Sequence, residues 1–244
     1  MIVASSFDSA HSVGCAGACG GGACCSGRNT PNPKPVVKEP EPLPDTSCGN
    51  AGYAFAMYPN QKNGQNILYK APKNNDFDPV VQKTMLPYYT GFTPKLGVSN
   101  ANSVYGQTPR DYQFVVVNHR GYLYAHLAGE YTFSSPFVDD SSIFWIGPNA
   151  YSGWTRPNAN IDQAYLSSGA IPQQFKMMLE KGKYYPIRNV WANGGGPGSF
   201  KFTITAPDGS VVVDDKTTSC PYLVQFGCKA EYDAPAFPAW GAET

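Results

Sequence analysis

Phe200-Lys-Phe-Thr-Ile-Thr205 alternates apolar and polar residues without a break, and the same period of two returns along much of the chain. Only an extended strand puts successive side chains on opposite faces, so such a run belongs to a half-buried β-strand. Residues 53–58 (YAFAMY) and 122–127 (YLYAHL) follow the pattern, as does Tyr131-Thr-Phe133 after Gly129. Residues 112–117 (YQFVVV) and 143–146 (IFWI) are compact apolar runs of the kind a strand buried on both faces shows. Turn signals separate these segments. Pro207-Asp-Gly209, for example, joins residues 200–205 to 210–213 as a hairpin. With 25 glycines and 22 prolines in 244 residues, little remains for long helices. Residues 174–181 alone read as a helical or extended amphipathic turn, ended by Gly182. About eight to twelve short antiparallel strands predict an all-β sandwich or barrel.

The ends of the chain differ from its middle. Residues 1–30 are rich in Cys and Gly and too poor in apolar residues to make a core, and residues 30–44 (TPNPKPVVKEPEPLP) form a proline-rich spacer. The reading is therefore an N-terminal extension over residues 1–48, packed on a domain over residues 49–244. Residues 59–110 are polar and irregular, which suits long surface loops around a binding site. Formal net charge is zero with no basic block, which argues against nucleic acid and anionic membranes as partners. No stretch of about eighteen apolar residues could span a membrane. Residues 1–13 lack a charged start and a long apolar run, so they do not read as a signal peptide.

Seven cysteines stand at 15, 19, 24, 25, 48, 220 and 228. Their clustering near the two ends suits disulfides in an oxidising compartment, and the Gly-rich spacing matches no standard zinc ribbon. First and last strands of a sandwich commonly neighbour each other. Cys220 and Cys228 are therefore each expected to pair with one of the N-terminal five.

For chemistry, His11, His119 and His126 are too scattered for a zinc triad, and no nucleophile elbow, phosphate loop or paired-His helix motif occurs. Asp214-Asp215 sits at a strand end beside Lys216 and reads as a solvated turn. Asp139-Asp140 is different. It lies between a strand-like run and the apolar residues 143–146, with no basic residue close by in sequence. Carboxylates at the mouth of a β-core cost desolvation energy unless something positive joins them, and Ca²⁺ is one such partner; the plain alternative is an exposed turn. Downstream, Asn193-Gly-Gly-Gly-Pro-Gly198 offers an amide oxygen and carbonyls freed to point inward, again the ligand type Ca²⁺ takes, unless it is merely a flexible hairpin tip.

Gly121-Tyr-Leu-Tyr-Ala125, Gly129-Glu-Tyr-Thr-Phe133, Val138-Asp-Asp-Ser-Ser-Ile143 and Ile146-Gly147 together resemble the yeast flocculin-type adhesins, which are GLEYA lectins on the protective-antigen-type β-sandwich. Tyr151-Ser-Gly-Trp154 and Tyr184-Tyr-Pro-Ile-Arg188, followed by Asn193, extend the likeness over roughly residues 50–225. The resemblance implies an antiparallel sandwich and a calcium-dependent lectin head of a wall-anchored adhesin. It implies Ca²⁺ held by Asp139 and Asp140 across a cis peptide, by the side chain of Asn193, and by the carbonyls of Gly195 and Pro197. Asp139, Asp140, Asn193 and Gly196 would meet the sugar. The implied partners are cell-surface glycans ending in mannose, galactose or N-acetylglucosamine. The implied setting is secreted, at the cell wall, as a monomeric head used multivalently in cell adhesion or flocculation. This chain departs from its relatives in the second loop, where Gly194, Gly195, Gly196, Pro197 and Gly198 offer almost no side chains. Sugar choice would then fall partly on residues 59–110 and 149–160. Two other classes stay open: a wall protein that binds other proteins, and a glycan hydrolase using Asp139 or Asp140. Adjacent carboxylates suit the hydrolase poorly, since its two carboxyls flank the scissile bond about 5–10 Å apart.

Overall fold

A computed structural model describes residues 43–62, 65–66, 77–229 and 234–244. Among the described residues the alternating pattern becomes fifteen strands, five of them only two residues long. They are β1 (Tyr53–Pro59), β2 (Gln61–Lys62), β3 (Gln65–Asn66), β4 (Tyr89–Thr93), β5 (Gly97–Val98), β6 (Val115–Tyr124), β7 (Gly129–Asp139) and β8 (Ser141–Ile146). Then come β9 (Ile161–Leu166), β10 (Gly169–Ala170), β11 (Gln173–Leu179), β12 (Tyr184–Ala192), β13 (Ser199–Thr205), β14 (Val211–Val213) and β15 (Leu223–Val224). One short helix, α1 (Pro148–Tyr151), follows β8.

Apart from the separate β2–β3 pair, the strands form two antiparallel sheets, as the alternation predicts. The larger runs β10-β9-β8-β12-β6-β1-β4, with β15 also paired to β6, and the smaller runs β11-β7-β13-β14, with β5 also paired to β13. Their facing side chains make the main core. Phe200, Phe202 and Ile204 of β13 and Tyr131, Phe133 and Val138 of β7 meet Val115 and Val117 of β6, Phe144 of β8 and Trp191 of β12. Ring pairs cross the gap: Phe144–Phe202 at 4.6 Å, Phe133–Phe144 at 5.3 Å and Trp191–Phe200 at 5.5 Å between centroids. Each such side chain, fully buried, contributes about 1.5–3 kcal/mol of transfer free energy.

The central strands of the larger sheet are covered on their other face too. Tyr58, Val116, Ile143, Trp145 and Val190 pack there with Trp154, Phe77, Met85 and Trp240. Burial on both faces explains why residues 115–117 and 143–146 read as unbroken apolar runs rather than alternating ones. Arg188 of β12 also points to this covered side, its guanidinium 4.5 Å from the Trp154 ring centroid. It is neutralised there by Glu243, which also pairs with Arg120 of β6.

Several expectations are corrected. Residues 112–117 and 122–127 do not give two strands; a single strand, β6, runs through Gly121. That glycine is not a turn. A Cβ there would sit 2.9 Å from the Val224 carbonyl oxygen, so its absence is what lets β15 lie against β6. Of the two readings of residues 174–181 the extended one holds: β11 is an edge strand paired with β7, and its outward Met178 is 70% exposed. Cys228 does join an N-terminal cysteine, Cys48, in a disulfide 180 residues apart. Cys220 does not pair: its free thiol is buried in the core, donates to the Val212 carbonyl at 3.2 Å, and is pushed up to a pKa of about 11 by burial. Cys15, Cys19, Cys24 and Cys25, and most of the 1–48 extension with its proposed packing, lie outside the described residues.

Candidate functional site

The chain crosses between the sheets twice at one end of the sandwich, and the two crossings lie side by side. Asp139 ends β7 in the smaller sheet and Ser141 begins β8 in the larger. Residues 193–198 make the return, from β12 in the larger sheet to β13 in the smaller. Register fixes both: Ser141 lies opposite Ala192, and Asp139 opposite Ser199. Strand pairing thus brings together residues about fifty positions apart. The Asp139–Asp140 peptide is cis.

Hydrogen bonds tie the crossings together. The Gly194 N–H donates to Asp140 Oδ2 at 2.6 Å, and the Asp140 N–H to the Ala192 carbonyl at 3.4 Å. Trp191 Nε1 donates to the Asp139 carbonyl at 3.0 Å, and the Tyr165 N–H to that of Asp140 at 2.6 Å. Asn193 is fully buried. Its side-chain amide donates to the carbonyls of Tyr112 at 2.7 Å and Gly196 at 2.9 Å, which uses both N–H bonds. Its own carbonyl accepts from Asn60 Nδ2 at 2.8 Å. Asn193 Oδ1 is then left buried with no hydrogen-bond partner among the described residues. A buried, orphaned amide oxygen is costly unless some donor or cation meets it.

Glycine makes this loop possible at two points for two reasons. Gly195 and Gly196 have φ of +153° and +67°, a region that side chains disfavour. At Gly198 the limit is space: a Cβ there would stand 2.5 Å from Asn193 Cγ and Oδ1. The loop therefore closes over the asparagine only because position 198 has no side chain.

The electrostatics run the same way. Burial raises the pKa of Asp139 to about 6, with the neighbouring Asp140 charge adding to the effect. Burial also raises Asp140, opposed by the hydrogen bond from the Gly194 N–H. Among the described residues neither carboxylate has a basic partner. Two half-buried carboxylates and one orphaned amide oxygen lie on two loops tied together by the Gly194–Asp140 hydrogen bond, and Gly195 and Pro197 of the second loop are exposed. All the donors are hard oxygens, a set suited to a hard divalent cation and ill suited to zinc or copper.

Strand register places the loop of Asp139 and Asp140 beside the loop that carries Asn193, Gly195, Gly196 and Pro197. Gly196 has an added part, since its carbonyl orients Asn193. The residues that hold this cluster in place were not legible. Asn60, Tyr112, Tyr165 and Trp191 each contribute one hydrogen bond, Tyr112 and Tyr165 through the backbone. Any residue supplies a backbone carbonyl or N–H, so no residue type could announce Tyr112 or Tyr165. Of the polar stretch 59–110, Asn60 anchors Asn193, and Ala101 donates its N–H to the Gly198 carbonyl at 2.8 Å.

Fold and site together define an antiparallel β-sandwich with an acidic oxygen cluster where two crossovers meet. Residues 115–206 match the GLEYA domain model, which places that domain on the strands from β6 to β13. Over 111 residues it is 31% identical to flocculation protein FLO1 of Saccharomyces cerevisiae, covering 41% of this chain and 7% of that protein. It is likewise 31% identical to FLO10 of the same yeast, covering 41% of this chain and 10% of that protein. The chain therefore spans a small part of the length of these relatives. The A domain of epithelial adhesin 6 from Candida glabrata, solved with Galβ1-3GlcNAc, superposes with a TM-score of 0.52 at 18% identity. That match covers 78% of this chain and 93% of the other, and shows that the two share a fold.

Proposed function

We propose that this chain is the calcium-dependent carbohydrate-binding head of a secreted, cell-wall fungal adhesin, with residues 49–244 as its lectin domain and 1–48 as an extension. The observation that carries the reading is the buried, unpartnered Oδ1 of Asn193 beside two carboxylates with raised pKa values. Asp139, Asp140, Asn193 Oδ1 and the carbonyls of Gly195 and Pro197 would hold Ca²⁺. The ion, when bound, supplies a positive centre that also accepts sugar hydroxyl oxygens. Calcium takes about 6–8 oxygens, so five protein donors leave room for a vicinal pair of hydroxyls. Asp139, Asp140, Asn193 and Gly196 then border the sugar, and the carboxylates accept hydrogen bonds from its hydroxyls.

The likeness to flocculation proteins supports a role in adhesion, for which this chain would bind terminal mannose, galactose or N-acetylglucosamine on cell surfaces. Loops with so few side chains wall the sugar poorly, so single heads bind weakly and adhesion comes from many heads on one surface. A hydrolytic role is disfavoured by the two carboxylates being sequence neighbours tied to one loop.

Glycan-array binding with calcium and with chelator tests the reading. Signal should vanish in chelator, no sugar should be cleaved, and Asp139→Asn or Asp140→Ala should abolish binding. Unchanged sugar affinity in either variant sinks the proposal.

A further inference from the structure

The covered face of the larger sheet holds a second polar centre. Arg120 of β6 and Arg188 of β12 lie opposite each other in register and share one carboxylate, that of Glu243. Arg188 is well satisfied. Its Nε donates to the Ala150 carbonyl at 3.0 Å, Nη1 to Asn118 Oδ1 at 2.8 Å and Nη2 to Glu243 Oε1 at 2.7 Å. Arg120 is not. Among the described residues Glu243 is the only hydrogen-bond acceptor for its guanidinium, through Nη1, although the group carries five N–H donors and the residue is 6% exposed.

The guanidinium carbon lies 3.4 Å from the Trp240 ring centroid and 5.4 Å from that of Phe237. Arg120 also lines a cavity of about 220 Å³, walled by Phe92, Gln225, Phe226, Phe237 and Trp240. Two guanidiniums against one carboxylate leave a net positive charge at this place, and a buried charge is unfavourable until it is paired.

We propose that this cavity is a second ligand site, separate from the aspartate pair, which takes a carboxylate borne on a single ring. A guanidinium fork matches a carboxylate in shape and charge, and a bound carboxylate would bring the local count to two of each sign. The aromatic walls suit the apolar face of a ring. The volume falls below the ~300 Å³ at which pockets for larger organic ligands begin, so the site takes one ring rather than an oligomer. Arg188 precedes Ala192 by four residues, roughly 13 Å along β12 from the Asn193 loop, so both sites can be filled at once. A uronic acid and an aromatic acid share this chemistry.

Ligand-observed saturation-transfer NMR on the whole chain in chelator tests it, because calcium-dependent sugar binding is then silent whatever its fate. The probes are methyl glucuronide, neutral methyl glucoside, benzoate and benzyl alcohol. One or both carboxylates should give saturable transfer at millimolar concentration, and their neutral counterparts none. Signal from the glucuronide alone identifies an acidic sugar site, and from benzoate alone an aromatic acid site. Arg120→Gln should lose the signal while still melting cooperatively, since Glu243 keeps Arg188. Phe92→Ala, at a wall residue 67% exposed, should weaken binding at least threefold with the fold intact. Absence of transfer from both carboxylates, equal transfer from the neutral probes, or full binding by Arg120→Gln would overturn the proposal.

Discussion

Glu243→Gln removes the carboxylate that, among the described residues, alone serves two buried guanidiniums, while keeping nearly the same shape. Arg188 is fully buried, and burial already pulls its pKa below the ordinary arginine value, opposed first by the Glu243 charge. Neutralising Glu243 leaves that cation and Arg120 facing each other without a counter-charge. Breaking a buried pair by removing one partner costs about 3–5 kcal/mol, and here the amide still offers one acceptor oxygen, so ~4 kcal/mol is expected. For a chain of this size each kcal/mol moves the melting temperature by about 2–4 °C, which gives a fall of roughly 8–16 °C. The control is Glu130→Gln, which breaks the exposed pair with Lys176 and should cost well under 1 kcal/mol. Circular-dichroism melts in chelator compare the two. A Glu243→Gln melting temperature within about 3 °C of the parent would refute the reasoning, because it would mean that water reaches the guanidiniums.

Three further outcomes follow from the site and its surroundings. Gly198→Ala should displace the Asn193 side chain and weaken calcium binding at least tenfold by calorimetry, with the chelator-state melting temperature lowered only slightly. Calcium at 100 times its dissociation constant should stabilise the parent by about 2.7 kcal/mol in thermal melts, and Asp139→Asn should abolish that gain. His119 is buried with Nδ1 facing the Asn189 carbonyl at 3.1 Å and Nε2 facing the Tyr105 hydroxyl at 2.7 Å; burial lowers its pKa to about 4. The unfolded chain therefore takes up this proton first, so stability is full above pH 6.5 and falls toward pH 4, by up to ~3 kcal/mol. Asp139 acts oppositely in chelator, its raised pKa relieving a penalty as pH drops through about 6. Urea titrations of parent and His119→Gln isolate the histidine share, and equal acid sensitivity in the two would contradict it.

What was legible in the chain follows the reach of each interaction. Strand alternation is local, so β1, β7 and β13 show in residues 53–58, 129–133 and 200–205. The continuity of β6 through Gly121 was not legible, because whether an extended glycine ends a strand or admits a neighbour depends on Val224, a hundred residues away. Cys228 pairs with an N-terminal cysteine, yet Cys220, eight positions earlier, turns into the core, a choice made by packing and invisible in spacing. Arg188 carries a charge into β12, a strand buried over its last six residues. Only the arrival of Trp154 and Glu243 from distant segments buries it. Asp139, Asp140 and Asn193 could be singled out because their side chains carry the chemistry, whereas Asn60 and Tyr112 serve as supports that many residue types could provide.

The placement of the acidic pair follows from connectivity more than from any single contact. A loop joining neighbouring strands of one sheet stays at that sheet's edge, but a crossover must pass the open end of the sandwich, where core meets water. Two adjacent crossovers running in opposite directions, β7 to β8 and β12 to β13, close that end with polar backbone that the core itself cannot satisfy. Cross-bonds such as Gly194 to Asp140 and Trp191 to the Asp139 carbonyl meet part of this need. Asn193 Oδ1 remains without a hydrogen-bond partner among the described residues, and the two carboxylates without a counter-charge. These oxygens stand at the ends of strands held firmly in place, β8 and β12 being buried on both faces. A ligand arriving there finds its oxygens already positioned, so little ordering entropy stands against binding. Rigidity of the frame, rather than side chains in the glycine loop, is then what a weak single-sugar contact would draw on.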